Sequence, residues 1–201
     1  MNDSTADARQ LQVRNLRTIA ALAGLFLLPL IASFILYYGL HWAPAGTTNH
    51  GELLQPARPL PQVELPDLDG RFVADAFRGH WTLVYVNDGR CHQACRDSLV
   101  FMRQTRLSLN QDMTRVERVL LVTSGLADRV FLMREHPGLV ALDGSGERAQ
   151  LLLAEFPRDG DDHALFVVDP LGNLMMRYDV RLPPRGLLSD LRQLLRLSHI
   201  G

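Results

Sequence analysis

The sequence predicts an α/β domain, in which a β-sheet is covered by helices, preceded by a single membrane-spanning helix. Two observations lead to this prediction. One long apolar run without charges lies near the N-terminus, and the remaining chain alternates between short apolar runs rich in β-branched residues and segments with helical periodicity. The formal net charge of −1 gives no electrostatic argument for nucleic-acid binding, so we expect no nucleic-acid partner.

The apolar run covers residues 18–40 and contains no charged residue. A helix of about 20 apolar residues crosses the hydrocarbon core of a bilayer once, so this segment is long enough to act as a single-pass anchor. A cleaved signal peptide is the alternative, because Ala43-Pro44-Ala45 resembles a cleavage site. We favour the anchor because the apolar core of a signal peptide is shorter, about 7–15 residues.

The arginines around this segment predict its orientation. Arginines precede the span within residues 1–17, whereas none follows it until Arg58. The positive-inside rule therefore places residues 1–17 in the cytoplasm and the C-terminal part in the periplasm, with the span in the inner membrane. Residues 41–60, which are rich in Gly, Pro, Thr and Asn, then form a periplasmic tether to a domain over residues 61–201.

The domain begins with a hairpin, a buried strand and a helix. Residues 62–65 and 71–73 flank Asp69-Gly70, a dipeptide typical of hairpin turns. Residues 81–87 (WTLVYVN) are rich in β-branched and aromatic side chains, which indicates a buried strand. A helix over residues 91–109 follows, because apolar side chains recur there on one face.

The rest of the domain continues the alternation. The predicted strands cover residues 115–123, 139–142, 164–169 and 173–179. The predicted helices cover residues 126–135, residues 147–156 and the leucine-rich segment after Pro183-Pro184. This order of strands and helices, with a late hairpin and a terminal helix, is that of a thioredoxin-like domain with an extra hairpin in front.

The two cysteines of the chain, Cys91 and Cys95, follow the first buried strand. Residues four apart on a helix face the same side, and a helix N-terminus stabilises thiolates. A disulfide that closes so short a loop removes little chain entropy, so a purely structural role is disfavoured. Thiol–disulfide exchange as a redox pair and binding of a soft metal both remain open at this point.

A third ligand would favour a metal, and His163 is the best candidate among the seven histidines. It directly precedes the strand over residues 164–169, and in a sheet of this order the loop entering that strand packs beside the cysteine-bearing helix. An ordinary loop histidine is the alternative. Two thiolates and one imidazole suit Cu(I), whereas zinc prefers four ligands and is the second choice.

Several segments carry a resemblance to a known family. They are HWTLVYV at residues 80–86, the C-x-x-x-C pair and HALFVVDPLG at residues 163–172. Together they resemble the Sco/SenC copper chaperones of cytochrome c oxidase assembly. NHGELL at residues 49–54 and DPLGNLMMRY at residues 169–178 are also similar to transmembrane oxidase-assembly proteins of proteobacterial oxidase gene clusters.

The resemblance implies that Cys91, Cys95 and His163 bind copper, as Cu(I) or Cu(II). It also implies a client, namely the copper centre of cytochrome c oxidase subunit II or another oxidase assembly factor. Sco proteins usually have prolines where this chain has His92 and Arg96. Arg90 and Arg96 instead place positive charge beside the cysteines, which favours thiolates.

Three classes of function follow from these residues. The first is a membrane-anchored copper-binding assembly factor, which delivers copper to the client or reduces its cysteines. The second is an enzyme, a periplasmic thiol–disulfide oxidoreductase without a copper role. Against it, the chain has C-x-x-x-C rather than C-x-x-C, and His163 occupies the stretch before the late strand where thioredoxins have a proline, with Pro157 six residues upstream. The third is a structural assembly factor without chemistry.

Overall fold

The computed structural model describes residues 3–39, 49–124, 126–157, 160, 162–198 and 200. The chain divides into two compact units, Met1–Thr47 and Thr48–Gly201. Ala43-Pro44-Ala45 and the first part of the predicted tether lie outside the described residues.

The first unit contains a long helix. Helix α1 (Asp3–Phe34) continues as a π-helical segment, Ile35–Gly39. Within these residues Asn15–Gly39 has a mean hydropathy of 2.6, and it is long and apolar enough to cross a membrane. It contains the span predicted over residues 18–40, apart from Leu40, which lies outside the described residues.

The second unit is built on a six-stranded sheet with the strand order β1-β8-β7-β4-β5-β6 and a separate two-stranded hairpin, β2-β3. The strands are β1 (Glu52–Pro59), β2 (Leu65–Pro66), β3 (Phe72–Val73), β4 (Trp81–Asn87), β5 (Val116–Val122), β6 (Val140–Asp143), β7 (Ala164–Val168) and β8 (Asn173–Asp179). The helices are α2 (Gln93–Leu107), a 3₁₀ helix (Asn110–Arg115), α3 (Arg129–Glu135), α4 (Glu147–Glu155) and α5 (Pro184–Leu197). The predicted α/β architecture with an N-terminal hairpin is confirmed.

The centre of the sheet is formed by strands that are buried on both faces. β4 pairs parallel with β5 and antiparallel with β7. All five residues of β7 and the first five of β4 are buried. Strands covered on both sides read as continuous apolar runs rather than as alternating patterns, which is why these strands could be predicted from the sequence.

Helices on both faces complete two apolar cores. On one face, side chains of α2 and α5 pack with Leu83 and Tyr85 of β4, and Cys95 belongs to this core. On the other face, side chains of α4 pack with Val84 of β4 and Phe166 of β7. The parallel connection from β4 to β5 passes through α2, so the N-terminus of α2 lies just after the carboxyl end of β4.

The structure corrects the end of the predicted tether. Residues 52–59, expected within a tether over residues 41–60, form β1, which pairs antiparallel with β8 through Leu53 and Met176. Pro56 and Pro59 lack an N–H donor, so the segment does not read as a strand in the sequence. An edge strand tolerates such residues, because its outer side needs no partner.

Two helices begin later than the sequence predicted. α2 begins at Gln93 rather than at residue 91, so Cys91 lies outside the helix and Cys95 lies in its first turn. α3 begins at Arg129 rather than at residue 126, because the Asp128 carboxylate accepts a hydrogen bond from the Phe131 amide at 3.0 Å and caps the helix.

Candidate functional site

The two cysteines are joined to each other. The Cys91–Cys95 disulfide has an S–S distance of 1.97 Å and a Cα–Cα distance of 5.0 Å, and the chain has no free cysteine. Cys95 is only 2% exposed and belongs to the core, whereas Cys91 is partly exposed. A reactant therefore reaches the disulfide from the side of Cys91.

A tight turn between β4 and α2 positions Cys91. Gly89 adopts a positive φ of 88°, and a Cβ at this position would collide with the Leu126 carbonyl oxygen and lie 2.8 Å from Cγ1 of Val122. The Gly89 amide donates to Oδ1 of Asn87 at 3.0 Å. Only glycine fits so close to Leu126 and Val122, so Gly89 determines the path of the backbone that leads to Cys91.

Arginines precede and follow the disulfide loop, and Arg96 contacts Cys91. The Arg96 Nε donates to the Cys91 carbonyl oxygen at 3.2 Å, and its guanidinium lies 4.9 Å from the centroid of the Phe131 ring. Arg90 is exposed directly before Cys91. His92 occupies the N-cap of α2 without a side-chain capping bond. Once the disulfide is reduced, these groups and the helix N-terminus favour thiolates over thiols.

The loop before β7 is tied to the strand and the helix that flank the cysteines. The Tyr85 hydroxyl of β4 donates to the Asp162 carbonyl oxygen at 2.7 Å, and the Ser98 hydroxyl of α2 lies 3.5 Å from the same oxygen. Burial raises the pKa of Tyr85 to about 12, so its hydroxyl remains a donor at neutral pH. As the sequence predicted, the loop entering β7 lies beside the cysteine-bearing helix.

His163 itself lies at the end of this loop and is partly exposed. Its carbonyl oxygen accepts from the Val180 amide at 3.0 Å. The pKa of the nearby Asp179 is lowered chiefly by its hydrogen bond with Arg181, and the charge of His163 contributes less. Within the described ranges, no three His, Cys, Asp or Glu side chains are gathered so that they could hold a metal ion.

The structure therefore brings two of the three predicted site residues together. In the disulfide-bonded form the sulfurs are not available as ligands, because the thiolate is the form that binds metals. The role of His163 stays a prediction. Sequence reasoning did not find Tyr85 and Ser98, which hold the loop. A buried tyrosine usually needs a hydrogen-bond partner, so Tyr85 within a buried strand indicates such a contact, but the sequence does not say which group accepts the bond.

Comparisons with known proteins agree with this description. Residues 81–198, more than half of the chain, match a family model described as a transmembrane-like, thioredoxin-like, C-terminal domain. A search of curated proteins finds no match. The solved structures that match include Sco proteins, so the thioredoxin-like fold expected from the sequence is confirmed, and the expected Sco/SenC resemblance is confirmed as a similarity of fold.

Three of these structures illustrate the similarity. Copper-bound ScoI of Bradyrhizobium japonicum is 18% identical, with a TM-score of 0.55, and the match covers 67% of this chain and 98% of ScoI. Apo Sco1 of Thermus thermophilus is 21% identical, with a TM-score of 0.57, and the match covers 75% and 99% of the two chains. Copper-bound yeast Sco1 is 14% identical, with a TM-score of 0.60, and the match covers 69% and 92%.

Proposed function

This chain belongs to the family of transmembrane-like, thioredoxin-like C-terminal domains, and on that premise we propose that it binds copper during the assembly of cytochrome c oxidase. The observation that carries the proposal is the Cys91–Cys95 pair at the start of α2, which is partly exposed at Cys91 and is contacted there by Arg96. Two of the Sco structures that share this fold contain bound copper.

Cys91, Cys95 and His163 are the proposed copper ligands. Reduction of the disulfide takes two electrons and two protons, and it yields two sulfur donors on one helix end. With an imidazole they form a soft set that suits Cu(I). Tyr85 and Ser98 favour the participation of His163, because they hold the adjacent Asp162 carbonyl against β4 and α2. Because ligands must lose their protons, copper loading weakens as pH falls.

The finer parts of the function concern client and location. The client is the copper centre of oxidase subunit II, or another assembly factor that supplies it. Helix α1 anchors the chain in the inner membrane, with the N-terminus in the cytoplasm and the thioredoxin-like domain in the periplasm. The apolar segment Asn15–Gly39 and the arginines that precede residue 18 support this arrangement.

A second function, thiol–disulfide exchange, is favoured by the disulfide itself. The partly exposed Cys91 sulfur is the one that a partner thiolate can attack, and the buried Cys95 is then released as a thiolate at the helix N-terminus. The reverse steps would reduce a disulfide of the client. This chemistry serves either as preparation for copper transfer or, in the oxidoreductase alternative, as the whole activity.

Copper titration of the full-length protein distinguishes these functions. The protein is reduced in detergent without oxygen and titrated with Cu(I) against a competing chelator. We expect one tightly bound copper ion, which is lost in Cys91→Ser and in Cys95→Ser and bound more weakly in His163→Ala. His92→Ala is the matched control, since this exposed histidine lies between the cysteines but is not a proposed ligand.

The results separate the candidates clearly. Equal copper affinity of His163→Ala and the wild type would remove His163 from the site. A protein that binds no copper but whose disulfide is readily reduced and re-formed would be an oxidoreductase without a copper role.

A further inference from the structure

Exposed apolar side chains lie on the segment from Leu126 into α3, which contacts the turn before Cys91. Leu126 and Val130 are 59% and 77% exposed, and we call them the α3 patch. The Leu126 carbonyl oxygen is the closest neighbour of the position where Gly89 would carry a Cβ. Exposed apolar side chains that lie together beside a reactive site are typical of a protein-binding surface.

The same region carries positive charge without a carboxylate partner. Neither Arg90 nor Arg96 forms an ion pair within the described part of the chain. Arg96 lies over the ring of Phe131, which connects the cysteine loop to α3. The Arg96 guanidinium therefore lies between Cys91 and α3, and the start of the α3 segment contacts the turn that precedes Cys91.

The nearby carboxylates are engaged elsewhere. Asp88 accepts from the Arg90 backbone amide at 2.9 Å, and Asp97 accepts from the Gln93 side chain at 2.8 Å. Asp128 caps α3 through the Phe131 amide. The Arg90 guanidinium and the Arg96 nitrogens other than Nε therefore have no carboxylate partner among the described residues, and they can bind a carboxylate that comes with a partner.

We infer that the segment that exchanges thiols with Cys91 carries a carboxylate beside its cysteine and an apolar side chain that lies on the α3 patch. This inference rests on the proposed function and names the kind of partner that the site selects. The carboxylate would bind Arg90 or Arg96 while the cysteine sulfur of the partner approaches Cys91.

Two thiols of the partner supply the two electrons that reduce the Cys91–Cys95 disulfide. The first thiolate attacks the Cys91 sulfur, so a mixed disulfide forms while the Cys91–Cys95 bond breaks and Cys95 leaves as a thiolate. A second partner thiolate attacks the partner sulfur of the mixed disulfide and releases Cys91. The products are the reduced protein and one partner disulfide, with two electrons passed to the protein.

The test uses the oxidised full-length protein in detergent and three short synthetic peptides with one cysteine each. The first peptide carries Glu and Leu beside the cysteine, the second carries Gln in place of Glu, and the third carries Ser in place of Leu. Each rate of protein reduction is divided by the rate of the same peptide with hydroxyethyl disulfide. This ratio removes differences in thiol pKa between the peptides.

The first peptide should react about two- to fivefold faster than the second at low salt, which is the effect of exposed charge pairs. The preference should shrink at high salt because of screening. It should disappear in an Arg90→Gln, Arg96→Gln double variant and persist in Arg148→Gln, which changes an exposed arginine on α4. The first peptide should also react faster than the third, and Val130→Ser should remove that difference.

Leu151→Ser is the apolar control, because Leu151 is exposed on α4, which packs on the other face of the sheet. Each peptide rate is also divided by the rate at which 2-mercaptoethanol reduces the same variant, so that a changed reactivity of the disulfide itself cancels. Equal ratios for all three peptides, or a charge preference that survives in the double arginine variant, would overturn the inference. Copper titration of the same preparation tests the proposed function separately, so normal copper binding without peptide preference refutes the inference alone.

Discussion

Replacement of Tyr85 by Phe tests whether the loop before β7 is held in place for His163. The substitution keeps the buried ring and removes the hydroxyl, which donates to the Asp162 carbonyl oxygen at 2.7 Å and accepts from Asn87 Nδ2 at 3.3 Å. A buried hydrogen bond contributes about 1 kcal/mol net, and a buried group left without a partner costs about 1–3 kcal/mol. The Ser98 hydroxyl, 3.5 Å from the Asp162 oxygen, can replace part of the loss.

We therefore expect Tyr85→Phe to lower the free energy of unfolding by about 1–2 kcal/mol. If copper binding must then order the loop again, about 1 kcal/mol of this loss corresponds to a roughly fivefold weaker Cu(I) affinity. Because burial raises the pKa of Tyr85 to about 12, the hydroxyl stays protonated and the effect should not vary with pH in the neutral range.

The assay combines urea unfolding, followed by tryptophan fluorescence, with chelator-competition titration of Cu(I). Tyr178→Phe is the matched control, since its buried hydroxyl donates to the Pro183 carbonyl oxygen at 2.8 Å and it is not a proposed part of the site. The control should lose similar stability and keep its copper affinity. Equal copper affinities of Tyr85→Phe and Tyr178→Phe would refute the reasoning.

Three further predictions concern stability, measured by urea unfolding. Gly89→Ala should lose about 2 kcal/mol or more, because its positive φ and the nearby Leu126 carbonyl disfavour a Cβ; an unchanged midpoint would contradict this. Asp190→Ala should lose about 3 kcal/mol, because the buried carboxylate accepts from the His50 and Gly51 amides at 2.8 and 3.0 Å. Asp190→Asn should lose less, because its amide oxygen still accepts a hydrogen bond, and a loss equal to that of Asp190→Ala would contradict this reasoning. The pKa of His136 is lowered by burial and, to a smaller extent, by the charges of Arg118 and Arg103, so the unfolded chain binds this proton more readily than the folded protein. The free energy of unfolding should therefore fall as the pH drops below about 6.5, by up to 1.4 kcal/mol per pH unit. His136→Asn should lack that slope.

The parts of the fold that the sequence predicts well are those set by local patterns. β4 and β7 are continuous apolar runs, and β8 follows a turn that Gly172 makes with a positive φ of 86°. The segment over residues 52–59 has no such pattern, because its place in the sheet depends on pairing with β8, which is distant in the sequence. Long-range pairing of an edge strand is not encoded in local periodicity.

The candidate site could be predicted in part for the same reason. Cys91 and Cys95 are only four residues apart in the sequence, so their proximity in the structure could be predicted from this spacing alone. The contact between Tyr85 and the Asp162 carbonyl joins residues far apart in the chain and uses a backbone oxygen, which no residue type reveals.

The burial of Arg118 could also not be predicted from the sequence. Its side chain is buried under the α3–β6 connection, where it donates to the Pro137 carbonyl oxygen at 2.7 Å. Burial, together with the charges of Arg106 and Arg103, lowers its pKa to about 10. Arginine side chains are mostly exposed, so the sequence alone indicates an exposed side chain at position 118. Its burial depends on contacts with residues that are distant in the chain.

X-ray absorption spectroscopy of the reduced, Cu(I)-loaded full-length protein tests the central claim most directly. We expect a copper ion with two sulfur neighbours and one nitrogen neighbour, and loss of the nitrogen in His163→Ala with the sulfurs retained. His92→Ala should leave the spectrum unchanged. A copper site with sulfur neighbours only, or a nitrogen that persists in His163→Ala, would contradict the proposed site.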